Sequence, residues 1–303
     1  MPFWKRQYRV NFPDLGFSFE DSVKIEFRVE RDIGREVNKC EIKLYNLSLE
    51  TREKIQKNDV RVELFAGYEG NGGPMKLFSG DTVQTYTQRQ DMDEMTSLTL
   101  ADGFLAVRDS WFAISFPPGT SAGAVFDVIA SNMGLPLEYG DGVALGSFVN
   151  GYSFAGQGSA ALDEVCGSEG CTWSIQNGIL QIILNGGIAA NRGFVFSADS
   201  GLIGSPERVM ESNPYEDLEN EKRKKKKREK KDTGEKKAGW RIRTLLSPTI
   251  TPGDAVKLEA KQVVGWFRVQ KIEHTGDSEG DDWTSEMDLV EGLDELAKET
   301  DEQ

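Results

Sequence analysis

Leu245-Leu246-Ser247-Pro248-Thr249-Ile250-Thr251-Pro252-Gly253-Asp254, with the three alternating runs that follow it to Val290, decides the fold. Within Val256-Lys257-Leu258-Glu259-Ala260 the apolar residues take every second place. Gly265 opens Trp266-Phe267-Arg268-Val269, and Gly276 to Asp282 reads as a polar loop. Trp283, Ser285, Met287 and Leu289 then fall on one side of a strand, and Thr284, Glu286 and Asp288 on the other. A two-residue period sends successive side chains to opposite faces, so each run is half in a core and half in water. Gly, Pro and Asp clusters cut the runs into short antiparallel strands. Phe267 and Val269 face one way and Ile272 the other, which predicts a β-bulge at Gln270-Lys271. No acid, base or nucleophile is assembled here. The stretch reads as the second of two small barrels in a structural protein.

The same period recurs near the N-terminus. Asn11 to Gly16 reads as a turn. Val23, Ile25, Phe27 and Val29 alternate with Lys24, Glu26, Arg28 and Glu30, and Cys40, Ile42 and Leu44 give the next strand. Ser48 is placed to cap a short helix through Gln56, because its hydroxyl can accept from a free N–H of the first turn. Val60-Val62-Leu64, Leu77 to Val83, and Thr96-Leu98-Leu100 continue the sheet, and Asp102-Gly103 closes it. Six or so strands with one helix make residues 1–110 a first small β-barrel.

Composition shifts after Trp111. Ser121 predicts a helix through Met133 with Val125, Val128 and Ile129 on one face, ended by Gly134 and Pro136. A second helix runs from near Ser159 to near Gly170, with Leu162, Val165 and Cys166 on one face. Then Thr172-Trp173-Ser174-Ile175-Gln176, Asn177-Gly178 and Ile179-Leu180-Gln181-Ile182 form the sharpest local signal in the chain. Asn-Gly between two such runs predicts a type I′ hairpin, with Ile175 opposite Leu180 and Trp173 opposite Ile182. Residues 111–200 are therefore expected to be an inserted α+β domain. Residues 201–292 return to strands as the second barrel, interrupted by a charged insertion over 211–238, and 293–303 form an acidic tail. The fold class is mainly β (α+β): two small antiparallel β-barrels with an inserted small α+β domain.

Charge narrows the function classes. The 303 residues carry a net charge of −14. Glu211 to Ala238 holds 11 Lys/Arg against 8 Asp/Glu, so the rest of the chain is more acidic than the total. An acidic body repels nucleic acid and does not suit a sequence reader of DNA. The Lys222 to Lys231 run has no interleaved aromatics to stack on bases, and reads as an arm that orders on an acidic partner or as a helical hairpin extension, since Lys, Arg and Glu are good helix formers. No run approaches the ~20 apolar residues of a membrane span, and the N-terminus lacks an apolar signal core.

Candidate sites are few. Cys40, Cys166 and Cys171 are too few for a disulfide framework and read as core thiols. His274 is the single histidine and reads as a strand-end residue in a turn. Asp277, Glu279, Asp281 and Asp282 do not have the spacing of a calcium loop and read as a solvated hairpin tip. Catalytic, cofactor-binding and metal residues are accordingly expected to be none, and the chain is not expected to be an enzyme. The rival reading is a carbohydrate-binding β module, with Trp173, Trp240, Trp266 and Trp283 as stacking platforms.

Ile42-Lys43-Leu44-Tyr45-Asn46-Leu47-Ser48 running to Thr51-Arg52, then Phe65-Ala66-Gly67-Tyr68, Leu77-Phe78-Ser79-Gly80-Asp81 and Ala101-Asp102-Gly103, resembles the first barrel of phage baseplate hub proteins, the late control protein D-like tail hubs. Gly151-Tyr152-Ser153-Phe154-Ala155-Gly156 with the Trp173 hairpin is similar to that family's inserted domain. Leu245-Leu246-Ser247-Pro248, Thr251-Pro252-Gly253, Gly265 to Val269 and His274-Thr275-Gly276-Asp277 resemble its second barrel. The resemblance implies two tail-tube-like barrels per chain and a homotrimeric ring of pseudo-sixfold symmetry around a channel. It further implies a tail tube or distal tail protein above, a central spike below, and contact with a tape measure protein and other baseplate proteins. DNA would pass through the channel without specific binding, and the protein would reside in the virion tail after synthesis in the host cytoplasm. The Lys222 to Lys231 run departs from the pattern, and no appended wall-degrading domain is visible.

Overall fold

A computed structural model describes residues 5–34, 37–56, 59–90, 92–189, 192–210 and 238–291. The Lys222 to Lys231 run and the acidic tail from 293 lie outside the described residues. The first lobe contains β1 (Arg6–Phe12), β2 (Phe17–Glu20), β3 (Ile25–Asp32), β4 (Lys39–Tyr45), α1 (Leu49–Ile55), β5 (Arg61–Tyr68), β6 (Gly73–Gln90) and β7 (Asp93–Ala101). Ser48 caps α1, accepting from the Thr51 N–H at 3.2 Å. Strand β1 corrects the turn expected at Asn11 to Gly16. Tyr8, Val10 and Phe12 alternate inward and are buried, and the turn is only the 3-10 segment Pro13–Leu15, closed by Gly16 at φ 70°. Phe12 stacks on Phe17 at 4.9 Å, which ties β1 to β2 across that turn.

Helix α2 (Phe104–Asp109) leads into the insertion: β8 (Trp111–Phe116), β9 (Thr120–Ser121), α3 (Ala122–Met133), β10 (Leu137–Tyr139), β11 (Ser147–Phe148), β12 (Tyr152–Gln157), α4 (Gly158–Glu169), β13 (Cys171–Gln176) and β14 (Ile179–Leu184). Ser121 caps α3 through the Ala124 N–H, and Gly134 ends it in the left-handed region. The helix buries Val125, Phe126, Ile129 and Met133, and Val128 lies at the margin of that face. Asn177 and Gly178 both take positive φ, and the hairpin pairs Ile175 with Leu180 and Trp173 with Ile182. All four enter one core with both helices.

The remaining strands are β15 (Gly193–Ser197), β16 (Leu202–Met210), β17 (Ala238–Leu245), β18 (Ala255–Glu259), β19 (Val264–Asp277) and β20 (Trp283–Val290). Here the boundary expected near Ser200 moves. Strand β15 runs parallel to β18, and Phe196 enters the second lobe's core, so Gly193–Ser197 belong to that lobe and not to the insertion. The register of β19 on β20 shifts between Val269 and Lys271, which places the bulge at Gln270.

The two lobes are sections of one sheet. Its order is β16-β17-β20-β19-β3-β4-β7-β6-β5-β1-β2, with β18 and β15 branching from β19. Strand β19 pairs with β18 through its first half, and with β20 and β3 through its second. Two hydrophobic cores lie against this sheet, one around Ile42, Leu64 and Leu98, the other around Val256, Ile272 and Met287. They are not segregated by sequence. Trp283 and Leu246, from the stretch that reads as the second barrel, pack in the first core. The Trp283 ring lies edge-on to Phe27 at 5.2 Å and its indole N–H donates to the Gly67 carbonyl at 3.3 Å. Burying an aromatic of that size contributes several kcal/mol, so this one side chain sews the lobes together.

Candidate assembly surfaces and the polar junction

Across β17, β20, β19, β3 and β4 the outer face of the sheet is charged and crosses from one lobe to the other. Alternation sends Arg241 and Arg243 of β17, Glu286 and Asp288 of β20, Lys271 and Glu273 of β19, Arg28 and Glu30 of β3, and Lys43 of β4 to the same side. Cations and acids meet on neighbouring strands. Arg241 grips Asp288 with two bonds of 2.7 and 3.1 Å, Arg28 reaches Glu273 at 3.0 Å, Lys43 reaches Glu26 at 3.0 Å, and Lys271 lies 3.8 Å from Glu30. Exposed pairs of this kind are worth roughly 0–1 kcal/mol each. Their larger effect is to neutralise the acids locally, so this face is far less negative than the chain's net charge suggests.

The residues singled out in the sequence do not converge. His274 is fully buried within β19 and is no turn residue; its Nδ1 lies 2.7 Å from the Ser285 hydroxyl. Burial, with the charge of Arg31, pushes its pKa down to about 3, so the ring is neutral at pH 7. Asp277 to Asp282 form the tip of the β19–β20 hairpin, and the Arg6 guanidinium donates to the carbonyls of Asp277 and Asp281 at 3.1 and 2.9 Å. The loop is thus held by a cation from β1. Cys40, Cys166 and Cys171 are buried and form no disulfide among the described residues. Among the described residues no three His, Cys, Asp or Glu side chains gather as a metal site, and no helix is long and apolar enough to cross a membrane.

Two of the four tryptophans read as sugar platforms are buried: Trp173 is 4% exposed and Trp283 2%. Trp240 and Trp266 line a cleft of about 240 Å³ with Arg208, Val263, Val264 and Glu291. Trp111, which no platform reading included, is 74% exposed at the start of the two-stranded β8–β12 ribbon.

Beneath the sheet, the insertion meets both lobes in polar contacts. Asp102, just past β7, is buried and accepts from the backbone N–H groups of Asn177 and Gly178 at the hairpin turn. Asn38 donates to the Ile175 carbonyl at 2.7 Å and to Gln176 Oε1 at 3.0 Å. Burial pushes the Asp102 pKa up to about 7 against the pull of Arg31 and the two turn N–H groups. On the other side Arg268 of the second lobe donates to the Gly187 carbonyl at 3.0 Å and the Ala189 N–H donates to the Gly253 carbonyl at 2.8 Å. Within the second lobe, beside β15, the fully buried Asp254 accepts two bonds from Arg192 at 2.9 and 2.8 Å and one from the Thr251 N–H at 2.8 Å. Next to it Gly253 adopts φ +93°, and a Cβ there would meet the Ala189 methyl at 2.7 Å. Arg31 is buried as well, and burial pulls its pKa down to about 10, still protonated at neutral pH. Sequence reading missed this residue, yet a signal was present. The inward phase Ile25-Phe27-Val29 continues to Arg31.

No family model matches the chain, and no curated protein matches it in sequence. Solved structures do. The 43 kDa tail protein of prophage MuSo2 from Shewanella oneidensis superposes with a TM-score of 0.62 at 8% identity, covering 95% of this chain and 98% of that one. A tail protein from Neisseria meningitidis MC58 gives 0.61 at 11% identity, covering 96% and 98%. The E. coli c3393 protein, described as a type VI secretion component similar to the T4 bacteriophage tail proteins gp27 and gp5, gives 0.61 at 7% identity, covering 94% and 77%. At such identities the likeness is one of fold, and it extends over nearly the whole chain.

Proposed function

We propose that this chain is a structural baseplate hub of a phage tail, acting without catalysis. The observation that carries the reading is the whole-length fold likeness to the Shewanella and Neisseria tail proteins, in which 98% of each of those chains is covered. Three copies form a ring in which each chain contributes two tube-like lobes, giving pseudo-sixfold symmetry from a trimer. The ring joins a tail tube or distal tail protein to a central spike, contacts the tape measure protein and other baseplate proteins, and encloses the channel through which the genome leaves the virion.

The charge-laddered face is the proposed channel wall, because it crosses from one lobe to the other. The mechanism is passive. A wall whose cations are already occupied by acids offers phosphates no free counter-charge, so DNA does not release counterions on touching it and does not stick. Local pairing, more than bulk acidity, supports that behaviour. The sugar-binding alternative is weakened because half of its aromatic platforms lie in cores.

Light scattering on the purified protein tests the assembly. A mass near three times 33.7 kDa, with a ring and central hole in negative stain, is the expected result. A compact monomer at all concentrations, and still a monomer when mixed with a spike protein, overturns it.

A further inference from the structure

Helix α4 ends in a turn that brings two thiols together. Gly170 takes φ +66°, and its N–H donates to the Cys166 carbonyl. A left-handed residue closing such a bond folds the chain back on the last helical turn, so the side chain after it packs against the one four places before it. Here those two side chains are Cys171 and Cys166. The Cys171 thiol donates to the Cys166 carbonyl, with Sγ and O 3.7 Å apart. The turn is also held from the hairpin: Cys171 opens β13 opposite Leu184, and the Asn185 N–H donates to the Gly170 carbonyl at 3.1 Å. Both cysteines lie in the core of the insertion, Cys166 with no exposed surface and Cys171 at 4%. The residues between them are nearer to water, with Gly167, Ser168 and Gly170 exposed. A hydrogen bond with the Cys166 side chain pulls the Cys171 pKa below the ordinary thiol value, against the burial that raises it. Cys40 shares none of this. It lies in the core of the first lobe, and burial pushes its thiol up.

We infer that Cys166 and Cys171 form a modification site, a dithiol that a small-molecule disulfide oxidises to a cross-link between the end of α4 and the start of β13. A disulfide needs Cα atoms within roughly 4.4–6.8 Å and side chains turned toward each other. The turn at Gly170 folds one backbone onto the other, and the 3.7 Å contact turns the Cys171 side chain to Cys166. Cys171 reacts first, as the member with some exposed surface. Its thiolate attacks one sulfur of the oxidant, forms a mixed disulfide and expels the first thiolate, which takes up the Cys171 proton. The Cys166 thiolate then attacks the Cys171 Sγ, breaks the mixed disulfide and expels the second thiolate, which takes up the Cys166 proton. Two electrons pass from the protein to the oxidant, giving one protein disulfide and two small thiols. The ring closed is short, so the bond constrains the end of α4 and little else. This stands on the insertion alone and is independent of the assembly the chain enters.

Oxidised glutathione on the folded, full-length protein tests it, followed by acid quench, alkylation and mass spectrometry. The expected product has lost two hydrogens, is linked between Cys166 and Cys171, and keeps one alkylatable thiol, Cys40. Dithiothreitol restores all three thiols. In Cys166→Ala the reaction stops at a mixed disulfide on Cys171. Amide exchange on the oxidised wild type reads the fold: the Gly170 amide slows by roughly tenfold, and β13 and β14 keep their protection. Three thiols still free after treatment of the folded protein, a stable mixed disulfide on wild-type Cys171, or a link that includes Cys40 overturns the inference. So does a cross-link that forms only in urea, or one that strips β13 and β14 of protection. The decisive arm is the wild type, so the result stands even if Cys166→Ala does not fold.

Discussion

The outer ladder and the buried junction are built from the same residue types and behave differently. On the ladder, Arg241 meets Asp288 with both side chains a third or more exposed, 43% and 33%. In the junction, Arg31, Asp102 and Asp254 are removed from water. Two unit charges 4 Å apart interact by about 1 kcal/mol in water and about 4 kcal/mol at an effective dielectric of 20. Desolvation grows with burial as well, so a buried charge left without compensation is far more damaging than an exposed one. The ladder thus sets a surface property, local neutrality. The junction fixes which backbone groups meet buried carboxylates: the hairpin-turn N–H groups at Asp102 and the Thr251 N–H at Asp254.

The sharpest way to break that contrast is to delete one junction carboxylate. Asp254→Ala leaves the Thr251 N–H without its acceptor, while Arg192, 49% exposed, is returned to water, and we expect a loss of about 1–3 kcal/mol in urea unfolding. A loss below 1 kcal/mol would mean the junction is as forgiving as the ladder.

His274 probes the junction by pH. Its pKa lies near 3 in the fold, against an ordinary histidine value of 6.5. The unfolded chain therefore binds the proton first as acid is added. The stability this neutral ring contributes is present above pH 6.5 and is lost as pH falls toward 3, by about 2–4 kcal/mol. His274→Gln should flatten the denaturant midpoint across that window; an unchanged slope would place the acid sensitivity elsewhere.

Asp102 has the opposite sign. Its pKa is raised from 3.8 to about 7. The native state holds the proton more tightly, so stability is fully present below pH 3.8 and declines as pH rises through 7. Local opening of the hairpin tip lets the carboxylate ionise in water and caps the effect at about 1–3 kcal/mol. Hairpin exchange, corrected for its intrinsic pH dependence, should quicken between about pH 4 and 7 in wild type and stay level in Asp102→Asn.

The ladder gives the smallest effect. A double-mutant cycle on Arg241 and Asp288 should return a coupling below about 1 kcal/mol that shrinks in high salt. A salt-independent coupling of several kcal/mol would erase the distinction between the two regions.

Where a structural decision was local, it was legible. The Asn177-Gly178 turn needs two positive-φ residues, and the dipeptide announces them together with the register of Trp173 on Ile182. Ser48 and Ser121 sit where a first-turn N–H needs an acceptor, and both cap. The slip at Gln270 is written in the change of phase between Val269 and Ile272. Other features were present as pattern but not read: Tyr8, Val10 and Phe12 alternate, and so do Ile272 and His274. In the last case the polar residue sits on the inward phase, and period alone cannot say whether a core or a turn receives it.

By itself the sequence determined most strands of the two lobes, the two principal helices, their ends and the hairpin, because each depends on contacts within a few residues. Only the tertiary structure decided that β19 serves both lobes, that β15 joins β18 in parallel, and that Trp283 belongs to the first core. Those choices depend on which distant surface offers the better burial, and periodicity carries no partner's name. Arg31 shows the limit most clearly. Its position on β3 follows from a two-residue period, but only folding decides that it is fully buried and that its guanidinium has no hydrogen-bond partner among the described residues.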